Sequence, residues 1–233
     1  MPAIPDGVEA VIFDFDGTLA DTTPSHEEAL RAALDPYGIE LDHEWYGRHV
    51  GLSIHDLLAA LPGGRSLPTD TIILQSRTHL LAATHTIAPI ACVVSLLQQA
   101  CCAGLPCAVA SGASRLLVEP GLDALSLKDE FAAVVAREDV TYGKPAPELF
   151  LAAARRLGVS PGRCLAVDDA PDGIASARAA GMQVITVLGG HLARVDEEVA
   201  GESVTPHARA RSGGLSPRAA DGITAPRSAD PTR

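Results

Sequence analysis

Two aspartates separated by one residue close an apolar, β-branched run: Val8, Val11, Ile12 and Phe13 lead into Asp14-Phe15-Asp16-Gly17-Thr18. The run reads as a buried strand, and in open α/β sheets ligands gather beyond the carboxyl ends of strands. Two close carboxylates there repel each other and lose hydration, so they call for a cation or a proton as partner. A second acidic pair, Asp168-Asp169, closes another apolar run from Cys164 to Val167. Ser111 follows a third run, Leu105 to Ala110, and precedes Gly112, Ala113 and Ser114. If that loop opens a helix, its free amides suit an anion; Ser111 serves equally well as a plain N-cap. Lys144 lies in Gly143-Lys144-Pro145-Ala146-Pro147 and is one of only two lysines, with Lys128, against sixteen arginines. A compact ammonium fits a crowded acidic site better than a planar guanidinium. Paired acids in want of a cation point to a metal-assisted site.

The elements that must hold these residues alternate along most of the chain. Helices are expected over 24–34, 53–61, 69–83, 90–100, 147–157 and 171–180, and strands over 105–110, 131–136, 164–167 and 184–188. Thr22 or Thr23 can cap the first helix, with Glu27 and Glu28 toward its positive end. The helical stretch after Ser114 should be interrupted by Pro120-Gly121. Strands alternating with helices predict a doubly wound parallel sheet. No strand pattern appears between Thr22 and Pro89, so that stretch reads as a helical insertion into an α/β fold, hinged near 20–22 and 84–88. The domain reading is a core of 1–21 and 87–201, an insertion of 22–86, and a tail, 202–233, rich in Ala, Ser, Pro, Gly and Arg that is expected to be disordered.

The chain has 233 residues and a net charge of -11, which argues against a general nucleic-acid or anionic-membrane surface. Five cysteines (Cys92, Cys101, Cys102, Cys107 and Cys164) follow no C-x-x-C spacing and read as small buried hydrophobes in a reducing compartment. No basic, apolar leader is evident, so a cytoplasmic protein is expected, as a monomer or homodimer.

Asp14-Phe15-Asp16-Gly17-Thr18-Leu19, Ser111, Gly-Lys-Pro-x-Pro around Lys144, and Asp168-Asp169 come in the order of the four motifs of the haloacid dehalogenase superfamily, which the chain resembles over nearly its whole folded length. The resemblance implies a Rossmann-like α/β core with an inserted α-helical cap, and Mg²⁺-dependent hydrolysis of a small phosphorylated metabolite, a sugar phosphate or a phosphoglycolate-like ester. It implies that Asp14 attacks phosphorus and forms an aspartyl-phosphate, and that Asp16 protonates the leaving oxygen and then activates water. Asp14, the backbone carbonyl of Asp16, and Asp169 would hold Mg²⁺, with Asp168 in support; Ser111, Gly112 and Lys144 would bind the phosphoryl group. Many relatives carry Glu-Asp-Ser where this chain has Asp168-Asp169-Ala170; Asp172 is as well read as a first-turn helix acid. His26 matches a histidine of the β-phosphoglucomutase-like branch that handles protons or aids closure, and is otherwise a partly exposed helix residue. The mutases follow the equivalent of Gly51-Leu52-Ser53 with an arginine for a second phosphate; Ile54 stands here, which favours a phosphatase over a sugar-phosphate mutase. A catalytically silent phosphate-binding protein is the other alternative.

Overall fold

Residue types along the first core strand, β1 (Ala10–Phe13), set the architecture: Val11 and Phe13 enter one apolar layer, Ala10 and Ile12 the other, and all four are fully buried. A strand apolar on both faces belongs in the middle of a sheet covered on both sides. A computed structural model describes residues 4–50, 54–62 and 67–195 of the protein; the tail expected to be disordered and the loop Gly51-Leu52-Ser53 lie outside them. After β1 come the short β2 (Ala20–Asp21) and four helices, α1 (Thr23–Leu34), α2 (His43–His49), α3 (Ile54–Ala60) and α4 (Thr69–Ala82). The alternation then runs β3 (Ala88–Pro89), α5 (Ala91–Cys102), β4 (Cys107–Ala110), α6 (Arg115–Ala124), β5 (Ala133–Val135), α7 (Glu148–Leu157), β6 (Cys164–Asp168), α8 (Pro171–Ala179), β7 (Gln183–Leu188) and β8 (His191–Arg194).

The main sheet has the order β5-β4-β1-β6-β7-β8. β1 lies between β4 and β6, with Val11 opposite Cys107 on one side and Leu165 on the other. Leu96, Leu97, Val118 and Leu122 of α5 and α6 pack on one face, and Leu149, Phe150 and Ala177 of α7 and α8 on the other. All pairings are parallel except β7–β8, which is antiparallel. The parallel sheet expected from the sequence therefore carries one extra, antiparallel edge strand. It follows directly because Gly189 and Gly190, both at positive φ, turn the chain back on β7.

Helices α1–α4 bury their own apolar cluster, centred on Leu34, Leu58 and Ile72. Trp45 is half-buried at its edge and stacks on His49, ring centroids 4.1 Å apart. The stretch is not wholly without strand: Ala88–Pro89 pairs antiparallel with Ala20–Asp21. Pro120 does not interrupt its helix either. α6 runs unbroken through it, because the ring removes a single ladder bond, to the carbonyl of Leu116, at an exposed residue of the first turn. Of the five free cysteines, Cys107 and Cys164 are buried as expected, whereas Cys102 is exposed. Among the described residues no helix is long and apolar enough to cross a membrane.

Candidate active site

The parallel register delivers the chemistry to one end of the sheet. The Asp14 amide donates to the Val167 carbonyl, 2.9 Å, so β1 and β6 run side by side up to their acids. The Ser111 amide donates to the Val135 carbonyl in the same way at the end of β4. Asp14 is 6% exposed and Asp168 fully buried. Lys144, from the loop before α7, sits between them: its ammonium donates to Asp14 and, at 2.7 Å, to Asp168. The Lys144 ammonium also lies 5.3 Å from the centroid of the Phe150 ring.

Asp168 is held on its other oxygen by the Ala170 amide, 3.1 Å. Gly173 of α8 passes so close that a Cβ there would run into the Asp168 carboxylate. Asp169 accepts from the Thr18 hydroxyl, 2.8 Å. Gly17, at φ +76°, leaves the space that the Asp169 carboxylate fills. One oxygen each of Asp14, Asp168 and Asp169 lie within 4.8 Å of one another. Burial, with Asp168 and Asp16 nearby, pushes the Asp14 carboxyl well above its usual range despite Lys144. Burial, with Asp168, also raises Asp169. Three crowded carboxylates thus share one ammonium. Oxygen donors alone, with a deficit of positive charge, fit a hard divalent cation such as Mg²⁺.

The Asp16 carboxylate is engaged elsewhere. His26 Nε2 lies 3.3 Å from it. Burial alone would raise Asp16, but hydrogen bonds from His26 and Thr22 outweigh it and hold its carboxyl below the ordinary range. The hydroxyl of Thr22 is therefore not the expected helix cap: Thr22 precedes α1 without a side-chain cap bond and turns to Asp16 instead. Ser111 is fully buried, and its hydroxyl accepts from the Ala113 amide, 3.0 Å. Ser111 and Gly112 do not open a helix, because α6 starts only at Arg115; Gly112 is exposed and lines a cavity. Among the described residues neither is hydrogen-bonded to the acidic cluster. Asp172 lies in the first turn of α8, as a plain helix acid would.

The sequence assigns nothing to Thr18, offers Thr22 as a helix cap and places Gly173 within a helix. Thr18 sits inside the first motif, and Gly173 five residues after Asp168, so spacing alone marked them as close to the site. It also set Glu27 toward the positive end of α1. Instead Glu27 is buried in the insertion, bonded to Arg31 at 2.5 Å and with His43 Nδ1 2.9 Å away.

A cavity of about 310 Å³ lies beside His26, between the insertion and the core. α1, α3 and α4 supply His26, Ile54 and Arg77, and the core supplies Gly112, Ser114 and Glu138.

A family model described as haloacid dehalogenase-like hydrolase matches residues 8–181. The fructose-1-phosphate phosphatase YqaB of Escherichia coli (strain K12) is 33% identical over 190 residues, 76% of this chain and 95% of that protein. Hexitol phosphatase A of the same organism is 31% identical over 189 residues, 76% of this chain and 81% of its own length. Among solved structures, CbbY from Rhodobacter sphaeroides in complex with phosphate superposes with a TM-score of 0.69 at 28% identity, over 78% of this chain and 87% of that one.

Proposed function

Because the chain belongs to the haloacid dehalogenase-like hydrolases, we propose that it is an Mg²⁺-dependent phosphatase of small sugar phosphates that works through an aspartyl-phosphate. One observation carries the reading: Lys144 bridges Asp14 and Asp168 at the strand ends, with Asp169 beside them. The similarity to a fructose-1-phosphate phosphatase and a hexitol phosphatase supports the substrate class.

In this reading Asp14 is the nucleophile. Its carboxylate is oriented by Lys144, whose charge offsets part of the pull of burial toward the protonated form. The new bond joins an Asp14 oxygen to phosphorus while the bond to the leaving oxygen breaks, and a carboxylate is an established nucleophile for this kind of two-step transfer. Asp14, Asp169 and the backbone carbonyl of Asp16 would hold Mg²⁺, with Asp168 in support; when bound, the ion offsets charge on the phosphoryl oxygens. Asp16, on the side of His26 and the cavity, hands a proton to the leaving oxygen and later takes one from the attacking water. As placed here its lowered pKa suits the second role, and a proton must reach it before the first. Lys144 and the Ser111 hydroxyl stabilise the phosphoryl group in transit. The helices of residues 22–86 act as a cap that keeps water from the site.

The test is phosphate release from a panel of sugar phosphates, with Mg²⁺ and with EDTA, by wild type and Asp14→Asn. Release that needs Mg²⁺ and falls by about a thousandfold or more in Asp14→Asn is expected if the chemistry runs through that side chain. Release that survives either EDTA or the substitution overturns the mechanism.

A further inference from the structure

The cavity next to His26 has a wall that the proposed mechanism does not use. Glu138, from the loop after β5, lines it; the residue is exposed to solvent, but its carboxylate is tied down. Its two oxygens accept from the Ser114 hydroxyl and, at 3.0 Å, from the Arg115 amide, the first amide of α6. A carboxylate therefore takes the first amide that this helix start offers to an anion. Burial alone would raise Glu138, but these two bonds outweigh it and hold it below the ordinary carboxylate range, so it stays charged.

Two arginines also face the cavity. Arg137 is taken up by the chain itself: its guanidinium donates to the Val140 carbonyl at 2.9 Å and the Thr141 carbonyl at 3.3 Å. Arg77, from α4, has no hydrogen-bond or ion-pair partner among the described residues. Beside the hydroxyls of Tyr46, Ser76 and Ser114, the cavity thus offers a ligand the donor-only Arg77 from the insertion and the acceptor-only Glu138 from the core, with the Arg137 charge next to Glu138. Ile54 and Leu57 give it apolar patches. Its volume, about 310 Å³, lies at the lower end of small-molecule pockets, which run from about 300 to 1,000 Å³, and is generous for a two-carbon acid.

We propose that this cavity receives an uncharged, hydroxyl-rich leaving group, a sugar or sugar alcohol without a second anionic group, and that Glu138 is the residue that turns a second anion away. The inference rests on the phosphatase reading above. A hydroxyl both donates and accepts, so a polyol can donate to Glu138 and accept from Arg77 at once. A second phosphate or a carboxylate only accepts; it satisfies Arg77 but meets Glu138 with like charge, and the Arg115 amide, already bonded to Glu138, is not open to it. Specificity here comes as much from what is repelled as from what is bound.

The experiment compares kcat/KM for a hexitol monophosphate, a hexose bisphosphate and acetyl phosphate, in wild type and in Glu138→Gln. The amide oxygen of glutamine can still accept from the Arg115 amide while its NH2 donates to the Ser114 hydroxyl, which accepts as well as donates, so the change removes charge and keeps both contacts. Wild type is expected to prefer the hexitol phosphate over the bisphosphate, and Glu138→Gln to narrow that ratio by roughly three- to tenfold, the effect of one partly screened charge. A wild-type preference for the bisphosphate overturns the proposal whether or not the variant folds. So does an unchanged ratio in a folded variant, or hydrolysis of acetyl phosphate alone. Failure to release phosphate from any of the three overturns the phosphatase reading, and the proposal with it.

Discussion

Replacing Lys144 with methionine keeps an unbranched side chain, one atom shorter, and removes its charge. In the wild type the side chains of Lys144, Asp14 and Asp168 are 12%, 8% and 1% exposed, so the two acids would be left facing each other out of water. Removing one partner of a buried ion pair costs about 3–5 kcal/mol. Here the loss has a ceiling, because a carboxyl that cannot ionise takes up a proton, and one proton on Asp14, the acid whose pKa burial already raises, relieves the pair. At pH 7, against an unfolded value of about 3.9, that proton costs about 1.4 kcal/mol for each of roughly three pH units, close to 4 kcal/mol in all. At pH 5 the same reasoning leaves about 1.5 kcal/mol. The direction follows from the raised folded pKa: an acid harder to ionise when folded destabilises above its unfolded pKa, and the penalty shrinks as pH falls toward that value. Urea unfolding of wild type and Lys144→Met in EDTA, at pH 7 and pH 5, measures both numbers. A loss at pH 7 below about 1 kcal/mol, or one equal at the two pH values, would refute the claim that Lys144 is the counter-charge of a buried acid pair.

Two further substitutions probe the frame around that pair. Gly17→Ala puts a side chain at φ +76° against the Asp169 carboxylate, so phosphatase activity should drop at least about tenfold. Gly7→Ala, at φ +82° with open space around it, should cost only about 1 kcal/mol of stability, and equal activity losses in the two would show that Asp169 was not displaced. Glu27→Ala should lose about 1–2 kcal/mol at pH 7, less than a fully buried pair, because the side chains of Arg31 and His43 are 47% and 82% exposed and return to water. Burial alone would raise Glu27, but His43 and Arg31 outweigh it and lower its pKa, so its contribution is present above the unfolded value and fades as pH falls through the folded one. Thermal melts from pH 7 down to pH 4 should show the two proteins converging, and a gap that widens would contradict the sign.

What could be read from the chain in advance was whatever is written in neighbouring residues. Asp14 and Asp168 each end an uninterrupted apolar run, so the strand and the acid at its tip came together. Lys144 stood out by rarity and by its prolines. What escaped was the choice of distant partners. Nothing near Thr22 distinguishes a helix cap from a hydroxyl aimed at Asp16. Nothing near Glu27 distinguishes a solvated first-turn acid from one that gathers Arg31 and His43, since that depends on α2 folding back over α1. α2 itself has no apolar stripe; its trace in the sequence is Asp42, whose carboxylate caps it by accepting from the Trp45 amide at 2.7 Å. β2 and β3, two residues each, are too short to show a period, and β8 is half-exposed at the sheet's edge. Pro120 follows the usual rule in removing a bond; its place near an exposed first turn makes the loss tolerable.

The pairing of β2 with β3 has a mechanical consequence. The chain enters the four-helix insertion through Ala20–Asp21 and leaves it through Ala88–Pro89, and these are laced to each other. The amide of Ile90 adds a rung to the carbonyl of Leu19, 3.0 Å. Two separate tethers would let the insertion slide, tilt and twist; a laced pair acts as a single axle and leaves swinging about it as the soft motion. One end of that axle is fixed to the chemistry, because Ala20 forms an isolated bridge with Asp16 and its carbonyl accepts from the Gly17 amide at 2.8 Å. The other coupling is His26, which rides on the first helix of the swinging part and touches the same aspartate. A rotation of the insertion about this axle would change how far the imidazole stands from Asp16, and with it one of the contacts that lower the pKa of that carboxyl.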